Sequence, residues 1–129
     1  MPRKPSPHPT AGELQILAVL WQRGPSTVRE VHEALGSERA TGLSTTLKMM
    51  QVMTEKELLI KDDSQRPQVY RPAMTQEEAQ TRMVDDLIQR AFSGAAEQLV
   101  LRAISSHHVS REDLAEIRKL LNQMEGDAQ

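Results

Sequence analysis

Four possible helix starts along this 129-residue chain share one pattern, in which a serine or threonine precedes an acidic residue by three positions and an apolar row at helical spacing follows. In such a pattern the hydroxyl accepts a hydrogen bond from a first-turn backbone N–H, and a glutamate bonds back to the cap residue. Each site therefore predicts the start of a helix. The fourth acid is an aspartate, which is too short to bond back well but suits the helix dipole. The pairs are Thr10 and Glu13, Thr27 and Glu30, Thr75 and Glu78, and Ser110 and Asp113.

The first half of the chain predicts three short helices, because apolar residues recur there at intervals of three and four. Gly24 and Pro25 end the first row, and Gly36 ends the second. We expect Trp21 to pack in the core between the first helix and the strands that follow. The inward residues are predicted as Leu14, Leu17, Leu20 and Trp21; Val28, Val31 and Leu35; and, in a helix over 44–55, Leu47, Met50 and Met53 or Val52.

Two short strands are predicted next, over 58–61 and 68–71, with a polar turn of Asp62, Asp63 and Ser64 between them. The alternation in the second strand places Val69 inward and Tyr70 outward. Prolines precede and follow this strand, which favours an exposed edge over a central position.

Residues 74–129 predict three further helices and no strand. These 56 residues contain one aromatic side chain, too little to build a stable core unaided. We expect 1–73 and 74–129 to be separate domains, the second being a dimerisation domain that pairs with a second copy about a two-fold axis. The alternative is that the three helices fold back on the first domain. Candidate dimer contacts are Leu87, Phe92, Leu99, Val100, Leu114, Ile117 and Leu121.

Several classes of protein are excluded or disfavoured by composition. The absence of cysteine excludes disulfides, thiolate zinc sites and cysteine nucleophiles. No apolar run approaches the roughly 20 residues that span a bilayer, and the polar, proline-rich start is unlike a signal peptide, so a cytoplasmic protein is expected. No cofactor or metal is expected: His107 and His108 are more typical of a helix end than of a metal site with His32. Ser105 and Ser106 beside them form no triad, so an enzyme is not expected.

Three helices followed by a hairpin is the order of a winged helix-turn-helix, whose third helix can enter the DNA major groove. Residues 1–73 carry 10 basic and 8 acidic residues, whereas 74–129 carry 6 and 10, which suits a first domain that meets a polyanion. The predicted class is therefore mostly α with a small β-hairpin, comprising a winged-helix DNA-binding domain and a three-helix dimerisation domain. Candidate DNA contacts are Ser44, Thr45, Lys48 and Gln51 on the third helix, and Arg39, Lys61, Arg66 and Arg71 around it.

Two other interpretations of these residues remain open. The polar outer side of the third helix is also typical of an ordinary solvated surface. A helical protein-interaction module with a winged shape would show the same element order without binding an operator.

The chain resembles the penicillinase repressor family of BlaI/MecI-type regulators, most specifically over 21–31. The resemblance implies a homodimeric transcriptional repressor that is inactivated when a membrane metallopeptidase of a sensor pair triggers its cleavage. By position, it implies recognition contacts from Ser44, Thr45, Lys48 and Gln51, and wing contacts near Arg66. It is carried by Pro9 and Thr10, Glu13 and Leu14, Ile16 and Leu17, 19–21, 24–31, Ser44 and Thr45, 47–53, Glu55 and Lys56, 69–72, Phe92, Gly94, Leu99 and Val100, and 110–121.

Three features of the chain depart from the family pattern. Glu57 stands where the family often has a glycine in a left-handed conformation after the third helix, which implies a different turn into the wing. Arg102 and Ala103 occupy the place of the Asn-Phe pair that is cleaved in the best-known members. The cysteine motif that ends copper-responsive relatives is missing.

Overall fold

A computed structural model of the protein describes residues 9–36 and 42–127. The described chain forms six helices and one two-stranded antiparallel sheet, in the order predicted from the sequence. The mostly helical fold with a small hairpin is thus confirmed. The elements are α1 (Ala11–Arg23), α2 (Val28–Leu35), α3 (Leu43–Glu55), β1 (Leu59–Asp62), β2 (Val69–Pro72), α4 (Gln76–Ala91), α5 (Ala96–Ser106) and α6 (Arg111–Asp127).

The predicted caps are present at the helix starts. Thr10 and Thr27 each form a full capping box, with the hydroxyl bonded to the N3 backbone and the N3 glutamate bonded back to the cap N–H. At α4, the Thr75 hydroxyl accepts from the backbone of Glu78. At α6, Ser110 accepts from the backbone N–H of Asp113. Each bond satisfies a donor that the helix itself leaves unpaired.

The chain divides into two compact units, Met1–Asp85 and Asp86–Gln129, and the division between them lies within α4. The core of the first unit is built from α1, α2, α3 and the sheet. Trp21 packs against this core as predicted, and its indole Nε1–H donates to the Met74 carbonyl, 3.0 Å away. The core residues are Ile16, Leu17, Leu20, Val31, Met50, Met53, Leu58, Leu59 and Tyr70.

The inward side of α3 differs from the prediction. Thr46 is fully buried, whereas Leu47 is 38% exposed and Val52 is 37% exposed. Met50 and Met53 are buried as expected. The apolar residues of α3 are distributed around most of its circumference, so their spacing alone did not determine which of them face the core. Ile16, fully buried on α1, was likewise missing from the predicted row.

The second strand is also oriented differently from the prediction. Tyr70 is buried and Val69 is only half-buried, the reverse of the predicted alternation. The reason is a second pairing: Ser26 and Tyr70 exchange two backbone hydrogen bonds, of 3.0 and 2.8 Å. At Tyr70, β2 therefore has a neighbour on each side, β1 and Ser26, and is not an edge there. The pairing holds β2 against the segment before α2 at this point, and the Tyr70 ring lies in the core.

The turn from α3 into the sheet keeps a left-handed residue, although that residue is not glycine. Glu57 has a φ of 67°, and the backbone N–H groups of Glu57 and Leu58 bond to the carbonyls of Thr54 and Met53. This is the Schellman arrangement, in which glycine is preferred because it lacks a Cβ. The expectation that this turn would differ is therefore wrong.

A Glu57→Gly variant should consequently be more stable than the natural chain by about 1 kcal/mol, because glycine relieves the left-handed strain. Urea unfolding followed by circular dichroism measures the change. The matched control is Gln15→Gly on the exposed side of α1, where the same residue should destabilise by roughly 0.5–1 kcal/mol. Equal destabilisation by both substitutions would contradict the assignment.

Candidate nucleic-acid interface

The outer side of α3 carries a continuous polar row. Ser44, Lys48 and Gln51 are exposed and lie three or four residues apart, so they are surface neighbours on the helix. Thr45 is exposed beside them. Within the described residues, no carboxylate lies within ion-pair distance of Lys48. The structure thus places the four predicted residues of the third helix together on one accessible surface.

In the first turn of α3, the backbone N–H groups of Leu43 and Ser44 have no acceptor among the described residues, whereas that of Thr45 bonds to the Gly42 carbonyl. The cap residue of α3 is Gly42, which has no side chain, and no side-chain cap bond is present at this end of the helix. Unpaired N–H groups at the positive end of a helix dipole are donors of the kind that bind phosphate oxygens.

Two polar contacts attach α3 to the helices beneath it. His32 Nδ1 on α2 lies 2.9 Å from the hydroxyl of Thr46, which is completely buried. Lys56, at the end of α3, donates to the Glu13 carboxylate at 2.8 Å. Sequence reasoning missed both contacts, because each joins residues that are far apart in the chain and have no shared periodicity.

The Glu13 carboxylate is charged in this position. Burial raises its pKa, but the hydrogen bonds from Lys56 and from the Thr10 backbone, together with the charge of Lys56, outweigh burial and lower the pKa below its ordinary value. Glu13 thus acts both as part of the α1 capping box and as the anchor for the end of α3. Its interaction with Lys56 spans 43 residues of sequence.

A groove runs between the first turn of α1 and the outer side of α3. It brings Thr10 close to the polar row on the outer side of α3. The sequence pattern did not predict this proximity, because Thr10 is more than 30 residues away along the chain. The lining residues are Thr10, Glu13, Ser44, Thr45, Lys48, Met49 and Val52.

The three predicted cations of the wing are not equivalent. In the sheet register Lys61 pairs with Tyr70 and Ile60 pairs with Arg71, so Lys61 and Arg71 project from opposite faces. Lys61 also lies 3.7 Å from the Asp63 carboxylate. Arg66 is exposed in the turn between the strands, and the described residues place no carboxylate within ion-pair distance of it.

Arg71 faces a nearby negative charge. Hydrogen bonds from the Ser64 hydroxyl and backbone N–H are the main causes that lower the pKa of Asp62, and the charge of Arg71 adds to them. Arg71 is exposed, and it forms no ion pair within the described residues. Arg39, the remaining predicted contact, lies outside the described residues.

The helices of the second unit leave apolar side chains in solvent. Neither α5 nor α6, all of whose residues are described, has a buried residue. Val100 is 48% exposed and Leu121 is 50% exposed. Of the other predicted dimer contacts, Leu87 and Leu114 are exposed, and Phe92, Leu99 and Ile117 are half-buried.

The histidines considered as metal ligands have other roles. His32 bonds to Thr46, and His107 is the C-terminal cap residue of α5, which confirms that the His107 and His108 pair follows a helix end. Among the described residues, no group of three or more His, Cys, Asp or Glu side chains could hold a metal ion. In the same part of the chain, no helix combines the length and apolar character needed to cross a membrane.

Comparison with known proteins decides the family. The model of the penicillinase repressor family matches residues 9–123. The chain belongs to this family. The match includes α1 to α5 and most of α6, so the penicillinase repressor pattern extends over both units.

Two penicillinase repressor relatives are transcriptional regulators named BlaI, from the CDC 1551/Oshkosh and ATCC 25618/H37Rv strains of Mycobacterium tuberculosis. Each is 29% identical over 115 residues, which cover 88% of this chain and 82% of the relative. A chain in the structure of reduced AbfR bound to DNA is 17% identical, with a TM-score of 0.43, and the match covers 94% of this chain and 75% of that one. Membership of the penicillinase repressor family makes the protein a transcriptional regulator rather than an enzyme.

Proposed function

We propose that the protein is a sequence-specific DNA-binding repressor that acts as a homodimer on a palindromic operator. The observation that carries this proposal is the exposed row of Ser44, Lys48 and Gln51 on a helix whose opposite side is buried. Such a row supplies hydrogen-bond donors and one unpaired cation to base edges and phosphates. The major groove is wide enough to admit the helix.

Dimerisation is the second part of the proposal. It is supported by the exposed apolar side chains of α5 and α6, which a second copy of the same helices would bury. A two-fold dimer presents two α3 helices to half-sites about 34–36 Å apart or a multiple of that distance. A repressor of this kind works by occupying a promoter in the cytoplasm, without membrane insertion.

Inactivation by cleavage, with a membrane metallopeptidase or another protease as partner, is the third part. It is supported by family membership. Arg102 and Ala103, which replace the Asn-Phe pair cleaved in the best-known members, are exposed on α5 but do not reproduce that pair. The bond between them lies inside a helix, so a protease would have to unwind α5 locally before cutting it. The test is mass spectrometry of the chain from induced cells. A full-length chain that has lost operator binding would remove cleavage from the proposal.

Footprinting on the DNA upstream of the protein's own gene, followed by a salt titration on the protected duplex, tests the activity. A DNA-binding repressor should lose affinity linearly in log salt, with a slope of about −0.9 per phosphate neutralised. A protein-interaction module would protect no duplex and show no such slope.

Within that titration, Arg66→Ala should reduce the slope by about 1.8 for the two copies of the dimer, because one phosphate contact per copy is lost. Lys61→Ala is the matched control in the same hairpin. It should change the slope less, since Lys61 already interacts with Asp63. A larger effect of Lys61→Ala than of Arg66→Ala would contradict this assignment of the wing contacts.

A further inference from the structure

Leu47 is an apolar side chain at the border between the polar outer side of α3 and its apolar side. It lies three residues after Ser44 and four before Gln51, so it is a surface neighbour of both. It is 38% exposed, although the residue before it in the chain is completely buried. Leu47 therefore belongs to the side of α3 that the proposed function directs toward DNA.

The chemistry of the major groove limits what such a side chain can contact. Base edges there present hydrogen-bond donors and acceptors, and the one apolar group among them is the C5-methyl of thymine. A leucine has no polar atom in its side chain, so it gains nothing from a donor or an acceptor. A thymine methyl is the base-edge group against which it buries apolar surface.

We infer that Leu47 is a specificity-determining residue that contacts the methyl group of a thymine in each half-site. Ser44, Lys48 and Gln51 then supply the polar contacts around it. This inference rests on the proposed function, which it deepens by naming one base that each half-site contains. No acidic side chain adjoins Leu47 that would repel the DNA, because its immediate neighbours on the helix surface are uncharged or cationic.

The expected effect follows from the size of the contact. Burying one methyl-sized group changes affinity about fourfold, so losing it in both half-sites changes affinity about 10- to 20-fold. Deoxyuridine lacks the C5-methyl of thymidine and keeps all the hydrogen-bonding groups. Replacing thymine by uracil at symmetric positions of both half-sites therefore removes the proposed contact alone.

The experiment uses the full-length protein and the footprinted duplex, with thymines replaced by uracil one symmetric pair at a time at fixed salt. For the natural chain, one pair of positions should weaken binding by about 10- to 20-fold. For Leu47→Ala, the same replacement should have no effect. The thymine-to-uracil ratio is measured within each variant, so partial unfolding of a variant would not imitate this result.

Val52→Ala is the matched control: Val52 lines the same groove as Ser44 and Lys48 and is equally exposed at 37%, but it follows Leu47 by five residues and so is not its neighbour on the helix surface. It should retain the sensitivity to uracil. The inference is overturned if no replacement weakens the natural chain, or if Leu47→Ala keeps the same sensitivity. If the natural chain binds no duplex at all, the proposed function has failed as well, and the absence of any salt-dependent binding distinguishes that outcome.

Discussion

Removal of residues 86–129 should lower the affinity for an operator with two half-sites by about 10²- to 10⁴-fold. The reason is effective concentration: in a dimer, binding of the first half-site holds the second α3 close to its own half-site. The truncated chain keeps the first compact unit, including the buried Ala79 on α4. Gel-shift titration of both chains on the same duplex gives the ratio, and analytical ultracentrifugation gives the oligomeric state.

Point variants in the full chain provide the control for this truncation. Leu114 and Leu121 lie on one side of α6, and replacing both with asparagine should produce a monomer with the same loss of operator affinity. Lys119→Asn, on the polar side of α6, should leave both properties unchanged. A natural chain that sediments as a monomer at micromolar concentration would refute the dimer, and equal affinity of truncated and natural chains would refute the role assigned to it.

Replacement of Lys48 by alanine should weaken operator binding by about 1–3 kcal/mol, or roughly 5- to 150-fold for each half-site, if its ammonium group contacts a base edge. The folded state should be unaffected, because Lys48 is exposed and the described residues give it no ion pair to lose. Titration of a single half-site duplex measures the effect without the contribution of dimerisation.

Lys119→Ala removes the same charge from α6 and is the control for Lys48→Ala. It should change the half-site affinity little, because no recognition contact is proposed for it. Unchanged affinity on Lys48→Ala would exclude Lys48 from the interface. A loss of equal size on all DNA sequences, with a smaller salt slope, would instead assign Lys48 to a phosphate.

The local signals in the sequence were sufficient for the elements and their order. A cap such as Thr10 with Glu13, or a stop such as Gly24, acts through bonds between residues a few positions apart, and the structure contains these bonds. The exposure of Ser44, Lys48 and Gln51 was predictable for a similar reason, because polar side chains at helical spacing avoid the core.

The orientation of individual apolar residues depended on contacts between distant segments. Leu47 was predicted inward from its spacing with Met50 and Met53, but apolar residues occupy most of the circumference of α3, so this spacing does not identify the buried side. Thr46 is buried instead, and its hydroxyl forms a hydrogen bond with His32 on α2. Tyr70 is inward because Ser26, 44 residues earlier, pairs with its backbone. The spacing of residues within a single helix or strand does not predict the burial of Thr46 or of Tyr70.

The amino-acid order by itself thus determined six helices, a hairpin and their order along the chain, since caps, turns and spacing are properties of neighbouring residues. Only the tertiary structure decided that the Lys56 and Glu13 side chains hold the end of α3 against α1, and that Lys61 and Arg71 occupy opposite faces of the wing. These arrangements depend on which distant surfaces pack together, and packing is decided by the fit of the whole core.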